Sequence, residues 1–228
     1  MRDDMTGMLR DIRQEVVLTK SWIGKEQLDA RVLAAMEKVP RHEFVPKELD
    51  YLAYSNGPLG IGHGQTISQP YIVALMTDLL KPQAGDVVLE VGTGSGYQAA
   101  VLALLVKQVY SMEVVAALAQ DATARLRRLG YGNVAVRNGD GYQGWQEHAP
   151  FDAIIVTAAA RAIPPPLLDQ LKHGGRMVIP VGSPYGRQIL SVVDKDERGE
   201  VSVQELLPVA FVPLTGDHGE DANSGDDA

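Results

Sequence analysis

Val87-Val88-Leu89-Glu90-Val91-Gly92-Thr93-Gly94-Ser95-Gly96-Tyr97-Gln98-Ala99-Ala100 is the stretch whose reading decides the fold. An apolar, β-rich run breaks into three glycines at alternate positions and resumes as an apolar run of helical type, so it reads as strand, tight turn and helix. In a doubly wound sheet, ligands bind at the carboxyl ends of strands near the point where strand order reverses, and glycines there let a ligand approach the backbone. Each glycine costs conformational entropy that a plain turn does not require. The loop therefore reads as a binding loop.

The alternation continues downstream. β-rich runs over 108–112, 134–137, 153–156 and 177–181 are interleaved with helical runs over 97–106, 114–129 and around 166–172. Such alternation predicts an α/β fold with a parallel sheet covered on both faces. The last apolar runs, 188–193 and 201–207, are separated by Asp194-Lys195-Asp196-Glu197-Arg198-Gly199-Glu200 with no helix between them, which predicts a β-hairpin and an antiparallel strand closing the sheet. Upstream, Leu9, Ile12 and Val16, then Leu28, Val32, Met36 and Val39, fall at helical spacing and predict an N-terminal helical cap within 1–55. Residues 56–65 carry four glycines and a proline and read as an irregular loop. Ser68-Gln69-Pro70 ahead of Ile72, Leu75, Met76 and Leu79 reads as a helix start, with Ser68 or Gln69 as the cap.

The chain has 228 residues, with 45% hydrophobic, 22% charged and 6% aromatic. At about one and a half typical domain lengths, this predicts one domain over 1–215 and excludes a disordered, collagen-like or coiled-coil chain. Zero cysteines exclude thiolate nucleophiles, iron–sulfur clusters and disulfides. The longest unbroken apolar run, 99–106, falls far short of the ~20 residues that span a bilayer. Met1-Arg2-Asp3-Asp4 carries acids where a secretory signal is basic, so the reading is cytoplasmic with no membrane partner.

Net charge is −8, from 21 basic and 29 acidic residues. Residues 216–228 hold five of the acids (Asp217, Glu220, Asp221, Asp226 and Asp227) and no Lys or Arg, so the body over 1–215 stands at −3. Lacking the positive excess that a phosphate backbone demands, it is not expected to bind nucleic acid. The tail reads as a disordered, solubilising extension.

The glycine loop alone leaves the ligand open, because Gly94-Ser95-Gly96-Tyr97-Gln98-Ala99 also satisfies a dinucleotide pattern and Glu113 follows at the matching distance. Three acids favour S-adenosyl-L-methionine instead. Glu90 precedes the glycines, placed for a bound amino group; Glu113 ends the second strand, placed for two ribose hydroxyls; Asp140 follows the third, placed for an adenine amine. Together they would repel a pyrophosphate, which relies on uncluttered backbone amides.

Methyl transfer from a sulfonium is an in-line displacement in which the protein supplies positioning and electrostatics. After the strand over 151–156 the chain reads Thr157-Ala158-Ala159-Ala160, with no Asn/Asp-Pro-Pro-aromatic run of the kind amino-methylating nucleic-acid enzymes use. His42, His63, His148, His173 and His218 are scattered, without the paired spacing of a zinc site, and no metal is expected. A carboxylate, already nucleophilic at neutral pH, is the simplest acceptor. At the start of the helix over 69–80 it would meet free backbone N–H groups and the Ser68 hydroxyl. On these grounds Ser68 is equally readable as an ordinary cap.

Arg41-His42-Glu43-Phe44-Val45, Gly62-His63-Gly64-Gln65-Thr66-Ile67-Ser68-Gln69-Pro70, the loop over 90–97, Gly139-Asp140-Gly141 and Gly174-Gly175-Arg176-Met177-Val178-Ile179-Pro180-Val181-Gly182 resemble the protein-L-isoaspartate O-methyltransferase family. Phe211-Val212-Pro213-Leu214 resembles its C-terminal strand. The resemblance runs from Arg41 to about Thr215 in family order, and the Gly-Gln-Thr-Ile-Ser-Gln-Pro run is its most specific part. It implies a Rossmann-like class I methyltransferase sheet. It also implies methylation of the α-carboxylate of L-isoaspartyl residues in damaged proteins, with later cyclisation to a succinimide that partly hydrolyses to aspartate. Ser68 maps to the active-site residue. Cofactor contacts map to Glu90, Gly92, Gly94, Gly96, Glu113, Asp140 and Gly141, with Thr66, Ile67 and Thr215 close by, and substrate contacts to Ile61, Ser68 and Val212. The chain is expected to act as a monomer. Where the family usually has Leu-Pro-Ile-Gly this chain has Leu59-Gly60-Ile61-Gly62, a less preorganised loop. The alternatives are a carboxyl methyltransferase with a dedicated peptide or small-molecule substrate, a nicotinamide-dependent oxidoreductase, and a catalytically silent cofactor-binding module.

Overall fold

The structure, a computed structural model, describes residues 2–183 and 186–216. The acidic tail beyond Gly216, and the expectation of disorder there, lie outside the described residues. The helices are α1 (Arg2–Ile23), α2 (Ala30–Lys38), α3 (Pro70–Leu80), α4 (Tyr97–Ala103), α5 (Ala116–Arg128) and α6 (Pro165–Gln170). The strands are β1 (Leu59–Gly62), β2 (Gln65–Ile67), β3 (Val87–Val91), β4 (Gln108–Glu113), β5 (Val134–Asn138), β6 (Phe151–Val156), β7 (Leu171–Gly182), β8 (Gln188–Lys195) and β9 (Val201–Val209). Seven strands form one sheet in the order β5-β4-β3-β6-β7-β8-β9. The first five pair in parallel, as the crossover connections between them allow. β8 and β9 add antiparallel neighbours, the expected hairpin.

Side-chain alternation in the strands builds a core on each face. Val88, Ile155, Val178 and Val192 join the cluster under α1 to α4, whereas Leu89, Ile154, Met177 and Val193 face the opposite cluster with Leu167 of α6. Both faces being covered explains the unbroken apolar character of β3 and β6. The second face is thinly covered. Between β5 and β6 the chain forms only two short 3-10 turns, Gly141–Gln143 and Gln146–His148.

α3 lies against α1 and α2 on one side and β6 and β7 on the other, so all of its residues except Ile72 are buried. Even its polar residues are tied inward. Asp78 accepts the Asp29 N–H at 2.6 Å and pairs with Lys25, pinning the α1–α2 connection.

Three expectations are corrected. Residues 59–67 form an antiparallel hairpin rather than an irregular loop, with His63 (φ 54°) and Gly64 (φ 71°) as its two-residue turn. α4 ends at Ala103, short of 106. α6 ends at Gln170, and the chain enters β7 at Leu171, inside the expected helix over 166–172. Among the described residues, no helix is long and apolar enough to cross a membrane.

Candidate active site

The strand order reverses between β3 and β6, whose last residues Val91 and Val156 are in register. The glycine loop over 92–96 leaves β3 at this point, where open α/β sheets bind ligands. Gly92 has φ 99°, and a Cβ on it would sit 2.5 Å from Thr157 Oγ1, so only glycine fits. That hydroxyl donates to Gly92 O at 2.7 Å, clamping the loop to the end of β6. The Gly92 and Thr93 N–H groups both donate to Met112 O, at 2.8 and 3.1 Å. Arg125 of α5 holds the far side, its Nη1 donating to Ser95 O at 2.8 Å.

The two acids expected beside this loop divide their work. Glu113 is 5% exposed; its Oε2 accepts the Gly94 N–H at 2.7 Å and its Oε1 the Val115 N–H at 2.9 Å. Glu90 is fully buried behind the loop. One of its oxygens pairs with Ser111 Oγ, and the other has no hydrogen-bond partner among the described residues. Burial pushes its carboxyl up to about 8, against the Ser111 hydrogen bond and with a contribution from the Glu113 charge. At neutral pH Glu90 is therefore mainly protonated. Ser111 in turn meets Thr93 Oγ1 at 2.5 Å, so Glu90 supports the loop from behind.

A pocket opens above the loop, lined by Gln65 to Ser68, loop residues 92–95, Glu113, Gly141, Thr157 and the C-terminal segment over 212–215. Among its lining residues stands one carboxylate, Glu113, and no Lys, Arg or His. A sulfonium and an ammonium suit this wall; a pyrophosphate does not. Ile67, Tyr97, Val91 and Leu214 supply its apolar surface.

A second, mostly apolar pocket lies next to the first, lined by Pro58, Ile72, Pro208, Val209, Ala210 and Phe211. The two share Thr66, Ser68, Thr157 and Val212, which form the partition between them. Ser68 is not the helix cap: Gln69 takes that position, and Asn56 Oδ1 accepts the Tyr71 N–H at 3.2 Å. With Pro70 bringing no N–H and Tyr71 engaged, the start of α3 offers an incoming carboxylate fewer donors than the helix-start reading expects. Among the described residues the Ser68 hydroxyl has no partner. It is free to serve a ligand at the partition.

A family model described as protein-L-isoaspartate(D-aspartate) O-methyltransferase matches residues 14–219. The chain belongs to this family. It is 63% identical over 211 residues to protein-L-isoaspartate O-methyltransferase 2 of Syntrophobacter fumaroxidans, covering 92% of this chain and 85% of that one. It is 60% identical over 216 residues to the protein of the same name from Polaromonas sp., covering 95% and 99%. Among solved structures, a Plasmodium falciparum protein-L-isoaspartate O-methyltransferase in complex with S-adenosyl-L-homocysteine superposes with TM-score 0.76 at 25% identity, covering 92% of this chain and 98% of that one.

Within this isoaspartate methyltransferase chain, Thr66, Ile67, Ser68, Gly92, Gly94, Glu113, Gly141, Val212 and Thr215 come together around the first pocket. Four expected residues stand back from its lining. Glu90 and Gly96 lie behind the loop, and Ile61 packs over it, its Cδ1 3.4 Å from where a Cβ on Gly94 would be. Asp140 accepts the Tyr142 N–H at 2.9 Å, and Gly216 passes over its carboxylate. Thr93, Ser111, Thr157 and Gln188 carry structural roles that no local pattern announced. Only Thr157, at the end of the strand beside the glycine loop, had a position that pointed to the site.

Proposed function

We propose that the chain uses this pair of pockets to methylate the α-carboxylate of L-isoaspartyl residues in damaged proteins and peptides, with S-adenosyl-L-methionine in the first pocket and the isoaspartyl segment in the second. The partition shared by the two pockets carries the reading, because an in-line transfer requires donor and acceptor to meet across a short gap. S-adenosyl-L-methionine, when bound, supplies an electrophilic methyl on a sulfonium. Glu113 would accept the ribose hydroxyls with its remaining lone pairs while keeping Gly94 in place. The Ser68 hydroxyl would donate to the acceptor carboxylate and aim one oxygen at the methyl, leaving the other lone pairs to solvent or substrate. The carboxylate is ionised at neutral pH, so no general base is needed. Val212, on the partition, would meet the substrate backbone. The same reading has the enzyme acting as a cytoplasmic monomer, without nucleic acid or membrane, in line with the nearly balanced charge of its body.

The test is labelled methyl transfer to two peptides that differ only in aspartyl or isoaspartyl linkage. Base-labile label confined to the isoaspartyl peptide is expected. Equal labelling, or label stable to mild alkali, would sink the assignment, and labelling of only a dedicated partner would favour the alternative carboxyl methyltransferase.

A further inference from the structure

The Arg41-His42-Glu43-Phe44 turn is distinctive in sequence yet contributes no side chain to either pocket. Among the described residues Arg41 is the largest fully buried side chain. A buried guanidinium ordinarily sits against a carboxylate, since an uncompensated charge is costly inside a protein. Here it sits against backbone. Nε donates to Ala53 O at 2.8 Å and Nη2 to Ser68 O at 2.7 Å, while the guanidinium carbon lies 4.7 Å from the centre of the Tyr97 ring. Phe44, from the same turn, meets that ring edge-on at 5.5 Å. Tyr97 is the first residue of α4, directly after the glycine loop, and lines the cofactor pocket.

We propose that Arg41 is a positioning residue for methyl transfer, holding Ser68 in register with the cofactor loop through its grip on Ser68 O and its stacking on Tyr97. Nothing else among the described polar contacts holds the Ser68 backbone, whose hydroxyl is left unpartnered and whose helix is capped through other residues. A guanidinium fork can reach two carbonyls while its carbon sits over a ring, an arrangement that the compact point charge of an ammonium matches less well. The cofactor side of the site keeps its own supports, Thr157, Met112, Glu113 and Arg125, none of which involves Arg41. Loss of Arg41 therefore frees the acceptor side and removes a contact to Tyr97, while these loop supports stay in place.

The assignment rests on the proposed acceptor role of Ser68, so wild-type enzyme is assayed beside Arg41→Lys and Arg41→Met for methyl transfer to the isoaspartyl peptide, S-adenosyl-L-methionine affinity and melting temperature. A displacement of about an ångström costs roughly 100-fold in rate. That loss is expected in kcat for Arg41→Met, with a smaller loss for Arg41→Lys and cofactor affinity changing far less than rate. Full kcat per folded molecule with only a lowered melting temperature overturns the proposal, as does a loss of cofactor affinity that accounts for the loss of rate. Should neither variant fold, the Arg41 Nε–H resonance of the wild type, identified by its contacts to the Tyr97 ring, decides. It is expected to shift when isoaspartyl peptide joins the S-adenosyl-L-homocysteine complex, and no shift overturns the proposal. Wild type that leaves the isoaspartyl peptide unmethylated removes the functional reading itself, a result distinct from active wild type with unaffected variants.

Discussion

Gln188 and Phe211 exchange two hydrogen bonds: the Phe211 N–H donates to Gln188 Oε1 at 2.7 Å, and Gln188 Nε2 donates to Phe211 O at 3.1 Å. The buried amide takes over where the β8–β9 ladder ends at Gln188 and Val209. It directs the chain back toward the switch point, where the Ala159 N–H donates to Val212 O and the Leu214 N–H to Ala159 O, both at 2.8 Å. Gln188→Ala removes both hydrogen bonds to the half-buried Phe211 backbone, each contributing about 0.5–1.5 kcal/mol. Because Val212 lies on the partition and Phe211 in the second pocket, the expected effect is a raised KM for isoaspartyl peptide with a smaller change in cofactor affinity. Steady-state kinetics with an unchanged peptide KM would show that the segment does not need this clamp.

Ser68→Ala is expected to fold and melt close to wild type, since Gln69 and Asn56 rather than Ser68 serve the start of α3. Loss of an aligned donor commonly lowers turnover by ~100-fold. The variant should therefore bind S-adenosyl-L-methionine normally yet transfer methyl slowly, and Ser68→Thr should recover part of the rate. Melts, cofactor titration and initial rates on one preparation check this; full activity in Ser68→Ala would return the hydroxyl to the role of bystander.

For Glu113→Ala two losses combine. Its carboxylate holds the Gly94 and Val115 N–H groups and faces the pocket, and hydrogen bonds to a charged group contribute roughly 1.5–3 kcal/mol. Cofactor affinity should fall about tenfold to hundredfold. Glu113→Gln, which keeps acceptor oxygen but not charge, should fall between the two. Calorimetric titration measures both, and wild-type affinity in a folded Glu113→Ala protein would remove the residue from the site.

Glu90 predicts a pH signature. Its carboxyl is pushed up to about 8 from an ordinary 4.5, so between these values the unfolded chain has released a proton that the native state still holds. Stability contributed by this group is complete below about 4.5, declines as pH rises, and is fully lost once pH passes about 8. Glu90→Gln cannot titrate. Its melting temperature relative to wild type should climb steadily from pH 5 to 8 and level off above. A difference independent of pH would mean that the buried carboxyl titrates normally.

Much of this was legible in the order of residues. The strand, glycine loop and helix over 87–103 followed from local steric and solvation preferences, which act within a few residues and leave a period in the sequence. The same locality placed Glu113 at a strand end and Ser68 beside a helix start. His63-Gly64 lacks the Asn-Gly signal of a two-residue turn, so the β1–β2 hairpin was hidden among glycines. Strand alternation sends Glu90 to one face of β3, but only the assembled core around it, with Ser111 beside it on β4, buries it and raises its affinity for a proton. Arg41 and Ser68 are 27 residues apart, and Gln188 and Phe211 are 23 apart. Such pairs have no periodicity to betray them, because their geometry exists only once the sheet has brought distant segments within hydrogen-bonding reach.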